Sequence, residues 1–138
     1  MSLVLVTGAT GFVGRRLIRL LADKFGPEQI VCLAYDQADN ELERSGRKIL
    51  DELGIRYIPV DLVSGRGLDK APKSPDYVFH FAANTDTSDP DHRVNDIGTA
   101  NLLNAIGPLK SNCHFLFTGT IAVSDHRADP VAPVNEET

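Results

Sequence analysis

The sequence predicts an α/β fold built on a doubly wound parallel sheet, and three features carry that expectation. Short apolar runs rich in β-branched residues alternate with longer amphipathic segments, the rhythm of strands covered by helices on both faces. The first run, Leu3 to Thr7, is apolar up to its final threonine, as suits a strand buried on both sides. It leads straight into Gly8, Gly11 and Gly14 at the mouth of an amphipathic segment, a strand–loop–helix junction.

About five strands are expected. After Leu3–Thr7, a helix is predicted from Phe12 to Phe25, with Val13, Leu17, Leu20, Leu21 and Phe25 on one face, Arg15, Arg16, Arg19 and Lys24 mostly elsewhere, and Gly26-Pro27 as its stop. Gln29–Tyr35 is the second strand. A charged, surface-lying helix from Ala38 to Leu53 follows, with Leu42, Ile49 and Leu53 sharing a face and Gly54 ending it. Ile55–Val60 and Asp76–Ala82 are the third and fourth strands, separated by a loose connection, Ser64–Pro75, read as surface. A helix from Asp91 to Ile106 offers Val94, Ile97, Leu102 and Ala105 for packing and stops at Gly107-Pro108, before a fifth strand at Cys113–Thr118. Residues 1–127 form the nucleotide-binding domain in this reading, and 128–138, rich in Pro, Asp and Glu, form a loop leading onward.

Bulk composition narrows the function classes. A chain of 138 residues with 42% hydrophobic and 24% charged residues suits one globular domain. No apolar run approaches the roughly 20 residues that span a bilayer, and Met1–Thr7 lacks the features of a secretory signal, so a cytoplasmic location is expected. A net charge of -5 argues against a nucleic-acid surface. Cys32 and Cys113 lie in strand-like runs without metal spacing and read as reduced core thiols. His92, His114 and His126 have no partners at ligand or triad spacing, so no metal site is expected.

The chemistry sits in Gly8-Ala9-Thr10-Gly11-Phe12-Val13-Gly14. Gly8 turns the chain out of the strand, Gly11 lets a pyrophosphate approach the backbone, and Gly14 permits close packing of the helix. The free N–H groups and dipole at the helix start stabilise anionic charge without a lysine. At the end of the second strand an acidic residue accepts hydrogen bonds from the adenosine ribose and repels a 2'-phosphate. Asp36 is the candidate and favours NAD, with NADP the alternative; the competing reading is that Asp36 or Asp39 merely caps the next helix. Arg15 and Arg16 are alternative 2'-phosphate contacts or simply a solvated helix face.

The GxxGxxG spacing, with Thr7 before it, resembles that of the extended short-chain dehydrogenase/reductase family, in its NAD-dependent epimerase/dehydratase branch. Further matches follow in order: Asp61-Leu62, His80-Phe81-Ala82-Ala83, Val94-Asn95 with Gly98-Thr99 and Asn101-Leu102-Leu103, and Phe115 to Val123. The resemblance implies a Rossmann fold whose cofactor contacts come from Gly8, Thr10, Gly11, Phe12, Val13, Gly14, Asp36, Asp61, Leu62, Ala82, Ala83 and Thr118. It places Thr120 at the catalytic hydroxyl position, hydrogen-bonding the substrate oxygen. Asn95 would sit behind the site and hold water or backbone, although residue type alone suits a cap or surface role equally well. His80 becomes a packing position beside the cofactor.

The sequence departs from the family in one major respect. Tyr35, Tyr57 and Tyr77 are followed four residues later by Asp39, Asp61 and Phe81, so no Tyr-x-x-x-Lys is present. The expectation is therefore a truncated amino-terminal portion that binds cofactor without turnover, its carboxyl-terminal part absent. For the parent protein the resemblance implies an enzyme that transfers hydride, with tyrosine as general acid/base, on a small molecule such as a nucleotide sugar. A flavonol- or steroid-type carbonyl reductase and a non-catalytic dinucleotide-sensing module are the alternatives. The family also implies a homodimer through the helix after the fourth strand.

Overall fold

The computed structural model describes residues 1–37, 39–84 and 88–118. It contains one sheet of five parallel strands, β1 (Val4–Thr7), β2 (Ile30–Tyr35), β3 (Arg56–Val60), β4 (Tyr77–His80) and β5 (His114–Phe117), in the spatial order β3-β2-β1-β4-β5. The doubly wound parallel sheet expected from the sequence is thus present. β1 is central because both its faces are apolar: Leu5 faces one core, while Val4 and Val6 face the other.

Helices α1 (Gly14–Phe25) and α2 (Glu41–Leu53) cover one face, placing Ile18, Leu21 and Leu50 against Val4, Val6, Ile30 and Cys32. Helix α3 (Arg93–Ile106) covers the other, with Leu102 and Ile106 against Leu5, Val31, Leu33 and Val78. Burial pushes the Cys32 thiol up to about 12, so it stays protonated within this core.

Most of the expected helix faces pack on the two cores, with Leu17, Leu21, Phe25, Ile49, Leu53, Val94, Leu102 and Ala105 placed there, but each face also has an exposed outlier. Leu20, Leu42 and Ile97 are 65%, 59% and 44% exposed, and Val13 is also exposed. Beside the expected Leu21 and Leu102, the buried stripes run Gly14–Ile18–Ala22, Gly46–Leu50 and Gly98–Leu102–Ile106. Each begins at a glycine with the next buried side chain four residues on, so each helix approaches its neighbour most closely where it has no side chain. The glycine contacts show why: a Cβ on Gly46 would lie 2.6 Å from the Thr10 Cβ, and one on Gly98 3.1 Å from the Leu62 Cβ.

Several boundaries also move. Helix α1 starts two residues after Phe12, and α3 starts at Arg93. Helix α2 starts at Glu41 under an Asn40 cap, whose side chain accepts from the Glu43 N–H at 2.8 Å. Neither Asp36 nor Asp39 caps it: Asp36 pairs with Arg66, and Asp39 with Arg44. Ala38, where that helix was expected to begin, lies outside the described residues, as do the 128–138 tail and the 119–127 stretch before it. The 64–75 connection is more than surface, because its single 3-10 turn at Leu68–Lys70 sends Leu68, followed by Ala71, into the core beneath α3.

Candidate dinucleotide site

The strand order reverses between β1 and β4, and the crevice beyond their carboxyl ends is where open parallel sheets bind ligands. A cavity of about 500 Å³ opens there, within the usual range for small-molecule and cofactor sites. Gly8, Thr10, Asp61, Leu62, Ala82 and Ala83 line it together with Leu33, Tyr35, Asn84, Arg93 and Val94. Gly11, Phe12, Val13 and Gly14 form the adjoining loop and helix start. Asp36 and Asn95 are not among the residues that line it, and Thr118 is exposed just past β5. Thr120 lies outside the described residues.

The glycine loop is fixed by close backbone packing. Gly8 has φ +72°, and a Cβ there would lie 2.6 Å from the Phe81 carbonyl carbon. A Cβ on Gly14 would lie 2.0 Å from the Gly8 oxygen. At Gly11 the nearest obstacle is the Gly8 oxygen at 3.3 Å, so the fold itself demands glycine least at the position expected to face a pyrophosphate. The Gly11 N–H bonds the Gly8 oxygen and the Arg15 N–H bonds the Gly11 oxygen, whereas the Phe12, Val13 and Gly14 N–H groups have no partner among the described residues. Three consecutive unpaired donors at the start of a twelve-residue helix make a cradle for a phosphate. The residues present therefore fit a dinucleotide.

Arg15 holds this loop to α2. Its guanidinium donates to the Thr10 oxygen at 2.7 Å and the Leu42 oxygen at 2.8 Å, with further bonds to Gly11 and Ser45. Arg16 instead stacks over Phe12, 4.3 Å from the ring centroid. Glu43, absent from the sequence-based candidates, accepts from the Thr10 hydroxyl at 2.6 Å and from Arg47 Nε at 3.2 Å. Arg66 was missed as well: it donates to both Asp36 oxygens, at 2.6 and 2.9 Å, and its guanidinium holds that carboxyl below the usual carboxylate range. Asp61 stabilises the turn after β3 by accepting from the Val63 N–H at 3.0 Å.

Across the cavity, polar side chains do the positioning. Thr7 Oγ1 accepts from the Phe81 and Ala82 N–H groups, both at 3.1 Å, which occupies both its lone pairs. Its hydroxyl must then donate to His80 Nδ1, 2.6 Å away. The ring proton is consequently on Nε2, donating to Thr99 Oγ1 at 2.8 Å, and that hydroxyl donates to the Asn95 oxygen at 3.1 Å. Burial lowers the His80 pKa and favours this neutral form. Asn95 bonds the Asn84 backbone twice, accepting from its N–H at 2.7 Å and donating to its oxygen at 2.9 Å. Asn101 donates to the Leu62 oxygen at 2.7 Å. The α3 motif residues thus tie down both loops that flank the cavity.

A parallel sheet with a glycine-loop phosphate cradle at its switch point defines a dinucleotide-binding protein. The family model described as "NAD dependent epimerase/dehydratase family" matches residues 4–138, and the chain belongs to that family. Its cofactor is accordingly a nicotinamide dinucleotide, NAD(P). The chain is 32% identical over 128 residues to UDP-glucose 4-epimerase of Mycoplasma genitalium, covering 87% of this chain and 36% of that protein. The crystal structure of gox2253 is similar at 31% identity and TM-score 0.59, over 77% of this chain and 31% of that one. A thiolation-reductase di-domain from an archaeal non-ribosomal peptide synthetase matches at 25% identity and TM-score 0.55, over 75% of this chain and 25% of that one. The chain thus spans about a third of the length of the epimerase it matches. Among the described residues, no helix is long and apolar enough to cross a membrane, and no group of three or more His, Cys, Asp or Glu side chains is placed to hold a metal ion.

Proposed function

We propose that this chain is the dinucleotide-binding portion of an epimerase or dehydratase acting on a nucleotide-activated sugar. The observation that carries the reading is the switch-point cavity lined by Gly8 and Thr10 of the glycine loop, which runs on into Phe12, Val13 and Gly14 amides that have no partner among the described residues. Those amides and Thr10 hold the pyrophosphate; Asp61 and Leu62 face the adenine; Ala82 and Ala83 leave room for the nicotinamide half. The bound dinucleotide supplies a hydride acceptor and donor. Asn95 fixes the Asn84 loop beside the cavity, Thr118, just past β5, contacts the cofactor, and Thr120 holds the reacting oxygen of the substrate.

Saturation-transfer NMR on the NAD-loaded chain tests the substrate class. The reading expects contact with UDP-glucose and no sustained turnover, because the 138 residues contain no Tyr-x-x-x-Lys; steady epimerisation by this polypeptide would contradict it. The similarity to a thiolation-reductase di-domain favours a second reading, a reductase for a carbonyl compound, which predicts contact with carbonyl ligands and none with UDP-glucose. Assembly as a homodimer is supported by the exposure of Ile97 and Leu103 on α3. Sedimentation of the wild type against Ile97→Asp checks it, with a monomer expected only for the variant.

A further inference from the structure

We propose that Thr99 is a positioning residue for the dinucleotide cavity: its hydroxyl holds the His80 ring, and with it the Phe81-Ala82 segment after β4, to the turn of α3 that fixes the Asn84 backbone. The inference rests on the reading of this cavity as the dinucleotide site. Gly8, Ala82, Ala83 and Asn84 all line the cavity, whereas Thr7, His80 and Thr99 do not. A chain of hydrogen bonds through those three side chains joins the elements that carry the lining. It begins at Thr7, the residue before Gly8, and ends on the Asn95 backbone oxygen.

The donors along this chain all point one way, and each end dictates that direction independently. At the β1 end, Thr7 Oγ1 already accepts from the Phe81 and Ala82 amides, so its hydrogen goes to His80 Nδ1. At the α3 end, the Asn95 carbonyl can only accept, so the Thr99 hydrogen is committed there and Thr99 Oγ1 accepts from His80 Nε2. A valine at position 99 keeps the shape and loses both functions. The His80 N–H would then lack its acceptor on a ring that is only 1% exposed, and the ring is what Thr7 donates to while orienting the Phe81 and Ala82 amides. The same hydroxyl back-bonds one turn of α3, the turn from which the Asn95 side chain accepts from the Asn84 N–H and donates to its oxygen. Thr99 therefore acts on the ligand through the residues on either side of it.

The test combines nitrogen NMR of the His80 ring with calorimetric titration of NAD, on the full 138-residue wild type, Thr99→Val, Thr99→Ser and Ile106→Val. Ile106 is fully buried on the same helix and takes no part in the chain of hydrogen bonds, so its variant controls for simple destabilisation. The wild type is expected to carry its ring proton on Nε2. Thr99→Val is expected to shift that resonance, speed exchange of its proton and weaken NAD about tenfold. Thr99→Ser should restore both readouts, and Ile106→Val should lower the melting temperature alone. A wild-type ring proton on Nδ1 overturns the proposal even if Thr99→Val does not fold. So does NAD affinity that survives Thr99→Val, falls equally in Ile106→Val, or stays low in Thr99→Ser. Failure of the wild type to bind NAD removes the underlying reading of the cavity instead, and is told apart by a His80 ring that still carries its proton on Nε2.

Discussion

On one side of the switch-point cavity the glycine loop packs on β4, α1 and α2 through absent side chains: Gly8 against the Phe81 carbonyl, Gly14 against Gly8, Gly46 against Thr10. On the other side β4 and α3 meet through polar side chains, with His80 joining Thr7 to Thr99 and Asn95 holding the Asn84 backbone. The first wall is set mainly by steric exclusion, with Arg15 and Glu43 tying the loop to α2. The second is set by hydrogen bonds whose pattern depends on one imidazole being neutral. In the proposed reading the first wall holds a phosphate, which needs a backbone cradle that does not move, and the second borders the loops that would receive a substrate.

The sharpest way to break this contrast is Gly14→Ala. Its Cβ would fall 2.0 Å from the Gly8 oxygen and 2.8 Å from the Ala9 Cα, both rigid backbone atoms, so urea denaturation should register a loss of about 3 kcal/mol or more. Retention of wild-type stability would show that the loop is less constrained than its packing implies. His80→Leu should cost less, about 1–3 kcal/mol, because it unpairs Thr7 while leaving Thr99 its bond to Asn95. The smallest effect concerns pH. The folded His80 pKa is lowered by burial, so the neutral form's contribution is fully present above the ordinary value of about 6.5 and is lost as pH falls through the lowered folded value. Thermal melts taken from pH 7.5 downward should show a decline that His80→Leu diminishes; identical profiles for the two proteins would remove the pH-sensitive half of the comparison.

The same contrast explains what could be read from the sequence. The strands and the glycine loop were legible because continuous apolar runs and glycine spacing are local signals. The helix faces were misread at Leu20, Leu42 and Ile97 because the lines of closest approach begin at Gly14, Gly46 and Gly98, and a search for large apolar residues passes over glycine. An interior helical glycine costs about 1 kcal/mol relative to alanine, so Gly46 and Gly98 were the available hints of tight contacts. The Thr10–Glu43 and Asp36–Arg66 pairs join residues 33 and 30 positions apart; only the pairing of β1, β2 and β3 brings them together, and no spacing rule announces it.

The central claim, that the loop from Gly8 to Gly14 holds a dinucleotide pyrophosphate, is tested most directly by calorimetric titration of NAD into the wild type and into Gly11→Val, with circular dichroism to monitor the fold. A Cβ at Gly11 has one close neighbour, the Gly8 oxygen at 3.3 Å, far less than the obstruction at Gly8 or Gly14, so the account predicts saturable binding by the wild type and its loss in a variant that remains folded. Equal binding by the two proteins, or none by the wild type, would contradict it.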